Sequence, residues 1–459
     1  MASHESAVAA GNLHVVFVPF VAFGHISPFL HLSGKISAVA GVRVTFLTTP
    51  ANVPRITSLL PSSHSIFILT VPLPSVPGLD CGAESTADTH PDTAELLKLA
   101  VDHMKPQIAA ILSDLRPDFV IFDFAQPWIP SIAHPLGIKT LFFSVFSAAS
   151  TAYLTVPSRR TSAAGNLKRP PTGFPTSTAL SAGVPSYQAA DFAYLFKNLA
   201  VGEHTVYDRV LAGLTGCSAV VAKTCLEMEE PYIRYVEAQL GKPILLAGPV
   251  VPELPSGELD HQWAEFLSRF SESSVIFCSF GSETFLSDEA VTELLLGLEM
   301  TGMPFLAVLN RLADGDKLPE GFELRVSGRG VVREGWAPQQ LILRHRSVGC
   351  FVNHGGLSSL TEGVVAGRRL VMIPQKGDQF LNAKLFAGDL GIGVEVEREE
   401  EGGGFGRAAV RDAVVKAMEE DDEARGRFEK LRRFLMDAAV QKGFIAEFVE
   451  KLRELANGD

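Results

Sequence analysis

A histidine near the start of the chain has the chemistry of a general base, and a later aspartate could orient it. His25 follows Gly24, which permits a sharp turn after the apolar stretch 15–19. Pro28 suits the first position of a following helix. At a strand end, a histidine can remove a proton from a ligand hydroxyl if another group holds its second nitrogen. Asp123, which ends a later apolar stretch, could do so, as in the first two members of a catalytic triad. A structural or solvated role for His25 is the alternative.

A second group of polar and aromatic residues lies between Trp336 and Gln379. The group comprises Trp336-Ala337-Pro338-Gln339, His345, His354-Gly355-Gly356-Leu357-Ser358-Ser359, Glu362, Pro374 and Asp378-Gln379. A helix that begins just after Gly356 would present free N–H groups, which form a good anion site. Ser359 and Glu362 also have the spacing of a capping box, so both could serve only to start that helix.

The elements that must position these residues are predicted from alternating apolar runs and amphipathic stretches, which are typical of parallel strands joined by crossover helices. The first set comprises strands at 15–19, 42–48, 119–122 and 140–144, with a helix at 96–115. The second set comprises strands at 275–280, 305–309, 349–352 and 370–373, with helices at 288–301 and 357–366. The predicted fold class is therefore α/β, with two facing Rossmann-like domains and a ligand cleft between them.

A stretch dense in proline and glycine at 248–257 predicts a linker between the two sets. We expect one domain at 1–250, a linker at 251–262 and a second domain at 263–436. The remaining residues, 437–459, contain apolar positions at helical spacing and should form a helix that returns toward the first domain.

Composition excludes several other classes of protein. The 459 residues are 46% hydrophobic and 20% charged, as in folded globular proteins, and the net charge of −12 disfavours nucleic acid as a partner. The five cysteines show no CxxC spacing, which argues against a zinc site or a disulfide framework. No signal peptide or membrane span is recognisable, so we expect a cytoplasmic monomer. The absence of GxGxxG and GxxxxGK[ST] argues against a dinucleotide oxidoreductase or a P-loop enzyme.

The stretch from Trp336 to Gln379 resembles the signature box of plant family 1 UDP-dependent glycosyltransferases, without insertion or deletion. The segments at 24–28 and 280–282 are similar too. The resemblance implies a GT-B fold. The family's His-Cys-Gly-Trp-Asn-Ser differs here, because Leu357 and Ser358 replace Trp and Asn. Segments 82–88 and 122–125 are similar to the branch that extends sugars on flavonoids or terpenoids.

The resemblance also implies a role for each site residue. His25 would be the catalytic base and Asp123 its orienting partner. The donor would be bound by Trp336 and Ala337 at uracil, Gln339 and Glu362 at ribose, Ser282, His354, Gly356, Ser358 and Ser359 at the diphosphate, and Leu357, Asp378 and Gln379 at the sugar. An apolar acceptor pocket could contain Phe20, Phe124, Trp128, Phe143 and Phe146, although aromatics beside strands are more often core residues.

The function implied is inverting transfer of glucose from UDP-glucose to a hydroxyl of a plant small molecule, such as a flavonoid or flavonoid glycoside, without a metal or cofactor. Gln379 favours glucose over galactose in relatives. The same chemistry with UDP-rhamnose, UDP-xylose or UDP-galactose is one alternative. A non-catalytic UDP-sugar-binding protein is another, and the loss of Trp and Asn from the box motivates it.

Overall fold

The computed structural model describes residues 12–59, 65–89, 93–160, 164–198, 204–251, 257–281, 284–310, 318–419 and 422–458. Its strands form two sheets in which every strand pair is parallel. The first sheet contains β1 (Leu13–Val18), β2 (Val42–Thr48), β3 (Ile66–Thr70), β4 (Phe119–Phe122), β5 (Lys139–Ser144), β6 (Ala219–Ala222) and β7 (Ile244–Leu246). The second contains β8 (Val275–Ser279), β9 (Phe305–Leu309), β10 (Gly330–Glu334), β11 (Val348–Asn353), β12 (Arg369–Met372) and β13 (Gly393–Glu395).

Helices connect the strands and cover the sheets. Those that accompany the first sheet are α1 (Phe23–Ser37), α2 (Val53–Leu59), α3 (Ala94–His103), α4 (Lys105–Leu115), α5 (Ile129–Ala133), α6 (Ala148–Leu154), α7 (Ala164–Leu167), α8 (Ser186–Phe192), α9 (Val206–Gly216) and α10 (Leu226–Leu240). The others are α11 (His261–Leu267), α12 (Asp288–Met300), α13 (Phe322–Val326), α14 (Gln339–Arg344), α15 (Leu357–Val365), α16 (Asp378–Lys384), α17 (Arg407–Glu419), α18 (Asp422–Met436) and α19 (Ala438–Asn457). The predicted α/β class with two Rossmann-like units is confirmed.

The strand order places a crevice in each sheet. The first sheet runs β3-β2-β1-β4-β5-β6-β7, and the second runs β10-β9-β8-β11-β12-β13. Chain order reverses between β1 and β4 in the first sheet and between β8 and β11 in the second. Ligands bind at such reversals, outside the carboxyl ends of the strands. The segments that follow these four strands are therefore where a site is expected.

Several sequence predictions of secondary structure need correction. The single helix expected at 96–115 is two helices, α3 and α4, which meet at Met104 just before Pro106. Proline lacks an N–H and its ring disfavours a helical residue before it, so the helix restarts there. The prediction also lacked β3, β6, β7, β10 and β13, which are only three to five residues long.

The last helix packs on the first sheet. Phe448, Val449 and Leu452 of α19 are buried in one apolar cluster with residues of β1 and β7. Arg453 of the same helix donates to the carbonyl of Ala40 at 3.0 Å. The domain limits given above stay a prediction, and residues 252–256 of the expected linker lie outside the described residues. Within the described ranges, no helix is long and apolar enough to cross a membrane.

Candidate active site

His25 and Asp123 lie side by side at the crevice of the first sheet. Nδ1 of His25 is 2.8 Å from Oδ2 of Asp123, and the two side chains are 15% and 2% exposed. His25 follows β1 and Asp123 follows β4, so the pairing of these two strands brings them together. One expectation was wrong: α1 already begins at Phe23, so His25 occupies its first turn and Pro28 lies inside the helix.

The hydrogen bonds of Asp123 determine what His25 can do. Besides His25, Oδ2 accepts from the backbone N–H of Phe20 at 3.1 Å, and Oδ1 accepts from that of Phe124 at 2.7 Å. A carboxylate can only accept, so Nδ1 of His25 carries a hydrogen and Nε2 carries the lone pair. This tautomer is the one that can take a proton from an acceptor hydroxyl.

Three of the five aromatic residues expected in the acceptor pocket surround the His25 imidazole. The ring centroids of Phe20, Phe124 and Phe146 are 5.7, 5.2 and 5.7 Å from that of His25. They form a low-polarity rim beside the base, of the kind that suits a flat apolar ligand.

The other two aromatic residues lie elsewhere. Phe143 has no exposed surface and packs against Phe29 of α1 with 4.9 Å between ring centroids, so its expected place in the pocket was wrong and it is a core residue. Trp128 is half-buried, and its indole N–H donates to Asp102 at 3.0 Å. Asp102 also pairs with Arg209.

The amino end of α15 lies at the crevice of the second sheet. Gly356 is its N-cap, and none of the side chains that the structure describes caps it. Ser359 is the third helical residue, so the capping-box interpretation was wrong, and the N–H groups of the first turn remain available to an anion.

His354 lies against this helix end. Burial lowers the pKa of its side chain to about 4, so the imidazole is neutral near pH 7. Its Nδ1 is buried without a hydrogen-bond partner in the part of the chain that the structure describes. A Cβ on Gly281 would lie 2.9 Å from the His354 ring, and one on Gly356 would lie 2.6 Å from Nε2. The glycines therefore leave room for the ring beside the helix end.

The residues expected at uridine lie along one side of this helix end. Nε2 of Gln339 donates to Oε2 of Glu362 at 2.8 Å and to Ser359 at 3.2 Å, and Gln340 donates to the other carboxylate oxygen at 3.1 Å. Trp336 is 81% exposed, which is unusual for an indole and leaves its face available. Ala337, next to it, is half-buried against the main apolar cluster.

The residues expected at the donor sugar are held by α16. Asp378 accepts from Nδ2 of Asn382 at 2.9 Å, and burial raises the pKa of its carboxyl, although Asn382, Lys223 and His25 oppose that shift. Oε1 of Gln379 accepts from two backbone N–H groups, those of Gln375 and Lys376, at 2.9 and 3.2 Å.

Leu357, the first residue of α15, is 7% exposed. Ser282 lies outside the described residues.

Sequence reasoning missed two residues that join the halves of the site. Lys223, directly after β6, donates to Ser358 Oγ at 3.1 Å. Ser147, at the N-cap of α6, donates to Oδ1 of Asn382 at 2.7 Å. Lys223 could have been singled out as a lysine at the carboxyl end of an apolar run, but the four-residue run 219–222 was not recognised as a strand.

Among the described residues, no group of three or more His, Cys, Asp or Glu side chains is placed to hold a metal ion. The five cysteines are free, and all but Cys81 are buried.

Three comparisons bear on the identity of this site. The family model described as UDP-glucuronosyl and UDP-glucosyl transferase matches residues 109–401. The chain is 49% identical over 461 residues to an anthocyanidin-3-O-glucoside rhamnosyltransferase of Petunia hybrida, covering 97% of both chains. It is 36% identical over 458 residues to an anthocyanidin 3-O-glucoside 2''-O-glucosyltransferase of Ipomoea purpurea, covering 97% of this chain and 99% of that one. Among solved structures, Glycyrrhiza uralensis UGT73P12 complexed with glycyrrhetinic acid 3-O-monoglucuronide superposes with a TM-score of 0.75 at 25% identity, covering 96% of both chains.

Proposed function

The chain belongs to the family of UDP-glucuronosyl and UDP-glucosyl transferases and is therefore a UDP-glycosyltransferase, and we propose that it adds a sugar to a hydroxyl of a sugar already attached to a flavonoid-type acceptor. The observation that carries this proposal is the His25–Asp123 pair at the crevice of the first sheet, together with the Lys223–Ser358 and Ser147–Asn382 contacts that join the segments after β6 and β5 to α15 and α16. A base on one side of the cleft and an anion site on the other are what sugar transfer from a nucleoside diphosphate requires.

In the proposed reaction, the acceptor hydroxyl donates a hydrogen bond to Nε2 of His25. Its oxygen attacks the anomeric carbon while Nε2 takes its proton, and Asp123 stabilises the imidazolium that forms. The bond from the anomeric carbon to UDP breaks on the opposite face, and its electron pair goes to the diphosphate. Attack opposite the leaving group inverts the configuration at that carbon.

The proposed donor site spans the crevice of the second sheet. Trp336 stacks on the uracil beside Ala337, and Gln339 and Glu362 bind the ribose. The first-turn N–H groups of α15, together with His354 and Ser358, meet the charge that develops on the departing UDP. The orphaned Nδ1 of His354 supports this assignment, because a phosphate oxygen would satisfy it.

Two donor sugars are candidates, each on a separate observation. UDP-glucose is favoured by Gln379, whose amide is held in place next to Asp378: Oε1 accepts from two backbone N–H groups, and Nε2 donates to Oγ1 of Thr284 at 3.5 Å. UDP-rhamnose is favoured by the Petunia relative, which is named a rhamnosyltransferase. Leu357 agrees with rhamnose, since an apolar side chain suits the methyl group of a 6-deoxy sugar.

For the acceptor, the aromatic rim of Phe20, Phe124 and Phe146 suits the flat aglycone. The two plant relatives reported above are both named for anthocyanidin 3-O-glucosides, which supports a glycoside as the molecule that receives the sugar.

The test is UDP release from the purified protein, with product masses, using UDP-glucose, UDP-rhamnose, UDP-xylose and UDP-galactose against flavonoid aglycones and their 3-O-monoglucosides. We expect release with a monoglucoside and a product heavier by one sugar. The control for catalysis is His25→Ala, which should still bind UDP but should release little UDP from the donor. Transfer to aglycones alone would refute the sugar-on-sugar proposal, and transfer from UDP-xylose or UDP-galactose only would refute both donor candidates.

A further inference from the structure

Lys223 is a buried lysine that reaches from the first domain to the donor helix of the second. It directly follows β6, is 7% exposed, and its Nζ donates to Oγ of Ser358 at 3.1 Å. Ser358 is the second residue of α15, whose free N–H groups carry the positive end of the helix dipole. A narrow cleft opens at this point and is lined by residues of both domains, including His31 and Glu362.

The ammonium of Lys223 and the positive end of the α15 dipole lie side by side, so an anion between them would be attracted by both. Three carboxylates act on Lys223 from a distance, those of Asp378, Glu362 and Glu229, but no carboxylate of the described residues lies within 4.0 Å of Nζ. An ammonium has three N–H donors, and within the described ranges one of them is used, by Ser358.

The residues around Lys223 indicate which anion would bind here. Glu362, of the proposed ribose subsite, lines the same cleft as Lys223 and Ser358. Asp378, of the proposed sugar subsite, shares the amide of Asn382 with the carbonyl of Gly355, just before α15. In a UDP-sugar, the diphosphate is the group that joins the ribose to the sugar. Lys223 contacts Ser358 at the proposed diphosphate subsite, so its ammonium lies where the two phosphates would bind.

We propose that Lys223 binds the diphosphate of the UDP-sugar from across the cleft and offsets the negative charge on the departing UDP. The inference rests on the donor site of the proposed function and adds a residue that the signature box does not contain. Because the lysine belongs to the first domain and the other diphosphate ligands to the second, the proposed diphosphate subsite needs both domains. The burial that lowers the pKa of Lys223 to about 8 leaves it charged near pH 7.

The experiment compares the affinity of UDP and of uridine for Lys223→Met, measured by isothermal titration calorimetry without any acceptor. We expect UDP to bind roughly 10- to 100-fold more weakly, as for the loss of a charge-assisted hydrogen bond, whereas uridine, which lacks phosphate, should bind as tightly as to the wild type. Lys223→Arg should keep most of the UDP affinity, and Lys223→Gln replaces Lys223→Met if that variant does not fold.

The matched control is Lys242→Met, since Lys242 is a partly buried lysine of the same domain that donates to the carbonyls of Thr215 and Cys217 instead. It should leave UDP affinity unchanged. Equal loss of UDP and uridine affinity in Lys223→Met would show a structural role and overturn the proposal, as would UDP affinity within twofold of the wild type. If the wild type bound neither UDP nor uridine, the donor site of the proposed function would itself fail, which is a different result from a loss confined to the variant.

Discussion

Replacing Asp123 by asparagine tests the base pair with the smallest possible change in shape. The carboxylate is 1% exposed and accepts three hydrogen bonds: Oδ2 from His25 and from the N–H of Phe20, and Oδ1 from the N–H of Phe124. An amide has only one accepting oxygen. If that oxygen faces His25, the NH₂ group opposes the N–H of Phe124. If it faces Phe124, the NH₂ group donates to Nδ1 of His25 and moves the hydrogen of the imidazole to Nε2.

The expected magnitude follows from these two orientations. The second makes Nε2 a donor, so His25 cannot accept a proton, and both remove the charge that stabilises the imidazolium. General base catalysis is worth roughly 100- to 10,000-fold, or about 3 to 5 kcal/mol, and kcat of Asp123→Asn should fall by an amount in this range. Both orientations leave a buried donor facing a donor, the N–H of Phe124 in the first and that of Phe20 in the second, which should lower the free energy of unfolding by about 1 to 3 kcal/mol.

The assay is the initial rate of UDP release at saturating donor and acceptor, together with UDP affinity by calorimetry. UDP affinity should stay unchanged, because Asp123 lies on the acceptor side of the cleft. Asp118→Asn is the matched control. Asp118 comes directly before β4, whereas Asp123 comes directly after it, so the two lie at opposite ends of the strand. Like Asp123, Asp118 accepts a hydrogen bond from a backbone N–H, that of His14 at 2.7 Å. If kcat of Asp123→Asn stayed within threefold of the wild type, the orienting role assigned to this carboxylate would be refuted.

Three further outcomes are expected. His25→Ala should lose most turnover and retain UDP affinity, measured by the same two assays, and unchanged turnover in a folded variant would remove His25 from the mechanism. Trp336→Ala should weaken both UDP and uridine binding by roughly 1 to 3 kcal/mol, as for a lost base stack, with little change in Tm because the indole is 81% exposed; unaltered uridine affinity would contradict the stacking role. Burial lowers the pKa of His31 to about 4, so the unfolded chain binds more protons between pH 6.5 and 4 and the free energy of unfolding must fall as pH falls through this window. His31→Gln should flatten that dependence by up to about 1.4 kcal/mol per pH unit in denaturant titrations, and an identical slope would show that His31 is not buried as a neutral group.

Several strands could be predicted from sequence because most of their residues are apolar and buried. β2, β4 and β9 were predicted with their observed limits. The strands that were missed are short, and in β10 the last two residues are exposed, so no apolar run identifies it. A helix break at Pro106 is a local signal that was available but was not used.

The candidate site, too, could be predicted only in part from the sequence. The donor residues from Trp336 to Gln379 lie in one stretch of chain, and their order and spacing were readable without coordinates. The sequence alone could not tell which aromatic residues line the acceptor pocket and which lie in the core. Phe143 and Phe146 are close together in the chain, and only the structure shows where each side chain points. The structure places Phe146 beside His25 and Phe143 in the core against Phe29.

By itself, the sequence determined the class of enzyme, the α/β architecture and the residues of the signature box, because these depend on local apolar runs and on motifs that are contiguous in the chain. The tertiary structure alone decided which distant residues meet. His25 reaches Asp123 because β1 and β4 are neighbours, and Lys223 reaches Ser358 because the carboxyl ends of the two sheets face each other. Contacts of this kind follow from strand order and from the packing of one domain on the other, which no local spacing encodes.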